Sequence, residues 1–425
     1  MKRVLIITYY FPPVKGAAPW RPFSWAKEFK SHGLDPTVLT RHWVGNESHW
    51  SEFVKDNDTP ANTEIFDDYK IIHLPSKKFW LLNILNNYLL KYSLLSKVFY
   101  FFSSLFGYFN LEVDAYTTFK NFLKEHLQHN RYHYIMLTYP PSNLLKLTPI
   151  IKKYTDAKII IDIRDLWNNY ALQNNYRPSL KDRISNKLHF IHTRRYVKKC
   201  DLVTVVTPSF IPFFTAMGKA PVEVIYNGYE AFLFNTLKKK QGVKFNVSYI
   251  GNLYPRMDLS VLKNGLKLFL QNKSAEKVQV NFIGLGSNEE MKQKVIVDFP
   301  LQFLNVTRML NKDEALQHTL NSDVLLHYGW KGFRGMIGTK TFDYLASGNN
   351  ILLAPGDDDI VDDLLVKTNT GRVANTPEEF NKILNEWYNE WMQNGHIEYK
   401  GLKHEVEFYA RENQAAIMAE LLTHL

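Results

Sequence analysis

Two patterns of apolar and polar positions alternate along this chain. One is the short unbroken apolar run, as at 4–8, 36–40, 134–138, 158–163, 202–207 and 222–226. The other is a longer stretch with apolar residues at i, i+3 and i+4, as at 23–30 and 259–271. Runs of the first kind suit strands buried on both faces of a parallel sheet, and stretches of the second kind suit amphipathic helices. After residue 222 the series begins again, with strands expected at 245–250, 278–283, 301–306, 323–328 and 351–353, and a helix at 313–320. The stretch 402–425 reads as a closing helix, and the lysine-rich 231–242 reads as a linker. Alternating strands and helices predict an α/β chain of two doubly wound halves.

One stretch concentrates the chemistry: GMIGTKTFDYLASGNNILLAPG, residues 335–356. It reads as a glycine-bearing loop, a helix from about Thr339 and a buried strand. Free N–H groups and the positive dipole end at such a helix start suit a phosphate. Lys340 adds charge in the first turn, and Asp343 offers a short acceptor for ribose hydroxyls. An ordinary loop–helix–strand unit would look the same. Two further charged positions follow strands of the first half: Arg21, which ends the loop YYFPPVKGAAPWR, and the pair Arg164–Asp165. Arg21 reads equally as an anion ligand or as a solvated helix-start arginine. The pair reads equally as ligand-facing or as a structural ion pair.

Composition narrows the class. The 425 residues are 45% apolar and 22% charged, enough for two or three domains with full cores. A single cysteine, Cys200, excludes a disulfide framework and suits a reducing, cytoplasmic setting. The start, MKRVLIITYYFPP, lacks a small-residue cleavage site and reads as a first strand. The net charge of +10 is uneven: residues 1–222 carry 30 Lys and Arg against 17 Asp and Glu, whereas 223–425 carry 22 against 25. A basic first half suits a phosphorylated substrate or anionic lipid. Without RNA-binding signatures or basic repeats, nucleic acid is the weakest partner. The fourteen histidines show no metal-ligand spacing.

Residues 79–109 are unusually aromatic and are interrupted by Asn83, Asn86, Asn87, Lys91 and Lys97. Those polar positions argue against a transmembrane span. Their roughly helical spacing predicts a helix lying in a membrane interface, and a buried helical hairpin is the competing reading.

Seven segments in order resemble family 4 glycosyltransferases of the retaining GT-B type, of the kind that builds bacterial surface polysaccharides on lipid carriers. They are YYFPPVKGAAPWRP near the start, TYPPSN at 138–143, IDIRDLW at 161–167, VVTPSF at 205–210, IYNGYE at 225–230, YIGNLYPR at 249–256 and GTKTFDYLASGNNILLAPG at 338–356. The resemblance implies two Rossmann-like domains facing across a cleft. The acceptor domain would span 1–222, with the membrane-associating segment 79–109 and a closing helix at 408–425 packing back on it. The donor domain would span 223–407.

The resemblance also implies site roles. Arg256 and Lys340 would neutralise the diphosphate leaving group as the catalytic pair. Gly16, Asn227, Gly228, Gly251, Gly338, Thr341 and Asp343 would shape the donor site. Arg21, Arg164 and Asp165 would lie on the acceptor side. The implied reaction is hexosyl transfer from a nucleotide-sugar, with UDP as the expected nucleotide, to a saccharide or lipid-linked saccharide on the inner face of the cell membrane. No cofactor or metal is implied, because the basic residues take the place of magnesium. The family's paired glutamates would fall at Gly335 and Asp343, and its arginine–lysine pair at Asn252 and Met257, so this chain departs at both places. An epimerase or hydrolase of the same fold and a non-catalytic partner subunit are the alternatives.

Overall fold

The computed structural model describes residues 1–45, 57–76, 115–166, 177, 179–240, 242–297 and 299–425. The segment 79–109 read as membrane-associating lies outside these residues, as does Trp167. Two compact units divide the chain: one runs to Tyr226 and resumes at Glu412–Leu425, and the other is Asn227–Arg411. The sequence reading puts the first crossing four residues earlier and starts the closing helix at 408.

In the first unit eight strands form one sheet. They are β1 (Lys2–Ile7), β2 (Leu34–Arg41), β3 (Asn62–Ile65), β4 (Lys70–Leu74), β5 (Tyr134–Tyr139), β6 (Lys158–Ile163), β7 (Leu202–Val205) and β8 (Val222–Val224). Their order is β3-β4-β2-β1-β5-β6-β7-β8, parallel except for β3, which pairs antiparallel with β4. β1 reads KRVLII and buries its last four residues, as a central parallel strand must. One face packs Val4, Ile6, Trp25, Phe29 and Met136 against Ala415, Met418, Ala419 and Leu422. The closing helix therefore completes the core of the N-terminal unit. It is interrupted, with helices at Lys403–Glu407 and Arg411–Thr423, where a single helix was expected. Between them, the Tyr229 N–H donates to Tyr409 O and the Arg411 N–H donates to Tyr229 O. Those bonds draw the backbone out of the helical ladder.

The second unit holds β9 (Phe245–Ile250), β10 (Val278–Ile283), β11 (Leu304–Val306), β12 (Val324–His327), β13 (Asn350–Leu353) and β14 (Gly371–Val373). The order is β11-β10-β9-β12-β13-β14, all parallel. β11 is half the expected length, because Leu301–Phe303 form a 3-10 turn. The expected linker is not one: Ala231–Thr236 is helical, and its first turn follows a buried ion pair of Glu230 with Arg411. Helices Ser260–Leu270 and Pro377–Asn394 meet at Gly265, where a Cβ would lie 2.5 Å from the Phe380 ring. Glycine is what allows that close approach. Among the described residues, no helix is long and apolar enough to cross a membrane.

Candidate functional site

The second sheet reverses its order of strand addition between β9 and β12, and ligands of doubly wound sheets bind outside the carboxyl ends at that point. Three features converge there. The first is Gly251, directly after β9, with φ of 105° and open space where a Cβ would point. Glycine keeps the backbone approachable at that position. The second is the loop that follows β12. The third is the helix Thr339–Ala346, whose N-cap is Gly338, a residue with no side chain to cap the first N–H groups.

That helix is pinned to both sides of the reversal. Lys340 Nζ donates to Tyr249 Oη on β9 at 2.6 Å and lies 4.1 Å from the ring centroid. Thr341 Oγ1 shares a 2.8 Å hydrogen bond with His327 Nε2 on β12. The Ile250 N–H donates to Tyr344 Oη at 2.9 Å. Burial pushes Lys340 down to about 7. Burial also lowers His327 well below its usual value, and the neighbouring Lys340 charge adds to that.

The expected donor residues divide between those at the reversal point and those occupied by the protein. Lys340, Gly338 and Gly251 stand together at the reversal point. Thr341 is fully buried and its hydroxyl faces His327, so it serves the fold. Asp343 pairs with Lys312 at 2.6 Å. Arg256 is exposed, with its guanidinium 5.0 Å from the Trp330 ring. Trp330 also packs on Tyr328 at 5.4 Å and Phe333 at 5.8 Å. Gly335 has φ of 71° and donates its N–H to the Asp359 carboxylate, which ties the loop after β12 to the loop after β13. Lys331 and Asp358 bridge the same two loops at 3.3 Å. Asp357 accepts from the N–H groups of Asp359, Val361 and Asp362, and burial pushes its carboxyl up to about 6.

Asn227 and Gly228 mark the chain's first crossing between units. Asn227 O accepts from Arg411 Nε at 2.8 Å. Gly228 has φ of 67°, and a Cβ there would meet Tyr409 O at 2.6 Å. Both residues are thus committed to holding the 409–411 segment.

The expected acceptor residues are mostly structural. Arg21 is neither a free anion ligand nor a solvated side chain. It is buried, with Nη2 donating to Asp162 Oδ1 at 2.7 Å and Nη1 donating to Ile225 O at 2.6 Å and Tyr226 O at 2.9 Å. Thr204 Oγ1 donates to the same carboxylate at 2.7 Å. Arg164 is buried too, and donates to the carbonyls of Ala18, Tyr139 and Pro140. Asp165 is exposed. Gly16 is exposed, with φ of 110°, and a Cβ there would meet nothing within 4 Å. Cys200 is a packed side chain whose thiol donates to Val197 O, and burial pushes it up to about 12.

Tyr249, His327, Tyr344, Trp330 and Asp359 escape the sequence reading. The aromatic residues and the histidine occur in or beside apolar runs, where they read as core. For Tyr249 a signal exists: it stands two residues before a glycine that ends a strand.

No protein-family model matches the chain, and no curated protein matches it. Solved structures do. Sucrose-phosphate synthase from Thermosynechococcus elongatus aligns with 100% of this chain and 99% of its own, at 12% identity and a TM-score of 0.62. The apo structure of OtsA aligns over 100% of both chains, at 11% identity and a TM-score of 0.62. HepE from Anabaena, in complex with UDP and glucose, aligns over 100% of both chains at 12% identity and a TM-score of 0.58. The fold is GT-B. Within a GT-B fold, the reversal point of the C-terminal sheet, with Gly251 and the helix start at Gly338, is the candidate site.

Proposed function

We propose that this chain is a retaining glycosyltransferase that moves a hexosyl unit from a UDP-sugar to a saccharide or lipid-linked saccharide in surface polysaccharide synthesis. One observation carries the reading: a mostly covered lysine ammonium at an uncapped helix start, beside a glycine-ended strand, where the C-terminal sheet reverses. The arrangement suits a diphosphate, because the helix N–H groups and the ammonium both address anionic oxygens. HepE holding UDP and glucose, and HepE holding UDP-glucose, support the donor class. Starch synthase IV from Arabidopsis thaliana is bound to ADP and acarbose, so the base needs its own test.

In this reading, the charge that develops on the departing diphosphate is met by groups already oriented, which is the main catalytic task when no protein nucleophile is placed. Lys340 supplies a partly buried positive charge. Arg256 comes from the loop after β9 as the second. Gly251 and Gly338 leave room for the phosphates. The alternative, an epimerase or hydrolase of this fold, would release or isomerise the sugar without an acceptor.

A thermal-shift screen of UDP-, GDP-, CMP- and dTDP-sugars separates the bases, since a ligand of the native state raises stability by mass action. UDP-sugars are expected to raise the melting temperature most, and a flat response to all four removes the donor-site assignment. Segment 79–109 is proposed to hold the enzyme on anionic lipid at the inner face of the membrane. Reversing the charges of Lys91 and Lys97 is then expected to reduce co-sedimentation with anionic vesicles; undiminished sedimentation would leave that segment without a lipid role.

A further inference from the structure

Tyr249 is wholly buried, yet its hydroxyl serves a side chain at the candidate site. Tyr249 Oη donates to Asn252 O at 3.1 Å and accepts from Lys340 Nζ at 2.6 Å. The face of its ring lies under the same ammonium.

The other ionisable groups around Lys340 are turned elsewhere. On its own helix, Asp343 pairs with Lys312, and Tyr344 Oη accepts from the Ile250 N–H. On β12, His327 shares Nε2 with Thr341, and its Nδ1 is buried with no hydrogen-bond partner among the described residues. On β9 the facing group is Tyr249 itself. Among the described residues no carboxylate pairs with Lys340. Its hydrogen-bond acceptor is a neutral phenol.

A partly buried ammonium that has lost part of its water and gained no counter-charge is shifted toward its neutral form. The lowering of Lys340 to about 7 has that single cause, burial. Burial raises Tyr249 well above its usual value, so the phenol stays neutral throughout the working range. Near neutral pH the pair thus stands ready to gain one positive charge, and an arriving anion is what would fix it.

We propose that Tyr249 is a positioning residue for Lys340, and that the pair takes up one proton from solvent when a nucleoside diphosphate binds. The proton adds to the Lys340 amine to give an ammonium, and no other bond forms or breaks. The Tyr249 hydroxyl holds Nζ in place as acceptor and its ring face favours the charged form. The inference rests on the donor-site reading given above.

Calorimetric titration of the full chain with UDP tests it, run at pH 8 in two buffers of different ionisation enthalpy. Wild type is expected to take up close to one proton per UDP, and affinity is expected to fall about tenfold per pH unit above roughly pH 7. Lys340→Arg keeps a permanent charge and is expected to bind UDP with no uptake. Tyr249→Phe keeps the ring and removes the acceptor, so the pH midpoint of affinity is expected to move lower by roughly half a unit or more. A purely structural Tyr249 would lose stability and leave that midpoint unmoved, which would overturn the positioning role. UDP binding without uptake, or uptake that persists in Lys340→Arg, overturns the proton coupling alone. No UDP binding by wild type between pH 6 and 9 removes the donor-site reading and this inference with it.

Discussion

Lys340→Met is expected to stabilise the C-terminal unit while weakening its proposed affinity for a UDP-sugar. Methionine has a similar length, fills irregular apolar space and needs no counter-charge. The stability gain follows from linkage. Burial holds Lys340 down at about 7 in the folded protein, against an ordinary lysine value of 10.5. A folded value below the unfolded one means that the charged form is disfavoured by folding. The cost is fully present below about pH 7 and vanishes as pH rises through 10.5, because in that window the unfolded chain holds the proton and the folded chain does not. At one pH unit per ~1.4 kcal/mol, the cost at pH 7 is at most about 4 kcal/mol, falling below about 1 kcal/mol at pH 10.

Urea titrations of wild type and Lys340→Met at the two pH values measure the difference directly. Other groups that ionise between them do so in both proteins and cancel. The variant is expected to be the more stable at pH 7, with the gap closing at pH 10. Loss of a charge-assisted contact to the diphosphate is expected to weaken UDP-sugar binding roughly 30- to 150-fold. A variant no more stable than wild type at pH 7 would show that the ammonium is better solvated than its surroundings imply. Destabilisation accepted at one side chain for the sake of a ligand is a common feature of functional sites.

How much of this is legible in the sequence depends on distance along the chain. Strands β6, β9 and β10 can be read to the residue, because a continuous apolar run is a local property. β3 cannot: all four of its residues are exposed, so it carries no apolar signature and exists as an antiparallel edge on β4. Lys340 can be singled out from its place in the first turn of a helix after a glycine loop. Its partner Tyr249 is marked only by standing two residues before the strand-ending Gly251; that its hydroxyl meets Lys340 appears only once the helix across from it is placed. The helix at Ala231–Thr236 is hidden by the lysines that follow it, and its anchor, Glu230 with Arg411, joins residues 181 apart. GT-B order is visible as repeated strand–helix alternation, whereas the pairing of particular side chains across the sheet is not.

Arg21 shows the same limit and yields the second large effect. Nothing near it in sequence announces that it will be buried, for Asp162 lies 141 residues away. In the folded unit the guanidinium spends nearly all its donors on Asp162 and on the carbonyls of Ile225 and Tyr226, and its face lies 4.9 Å from the Trp25 ring. The side chains of Arg21 and Asp162 are 3% and 0% exposed, so neither charge has water to fall back on. Asp162→Ala is therefore expected to destabilise the N-terminal unit by about 3–5 kcal/mol, since it strands a buried cation. Arg21→Met is expected to cost a similar amount by stranding the carboxylate, to which, among the described residues, Thr204 is the remaining hydrogen-bond donor, with the Arg164 charge nearby. The double variant Arg21→Met/Asp162→Leu removes both charges and is expected to recover most of the loss. Urea unfolding of the four proteins gives the coupling energy as a double-mutant cycle. Additive single effects, or singles within about 1 kcal/mol of wild type, would refute the pair. The double variant also separates structure from binding: if Arg21 serves the fold alone, the folded double variant keeps the wild-type rate of the proposed sugar transfer, whereas an anion ligand would be missed however well the protein folds.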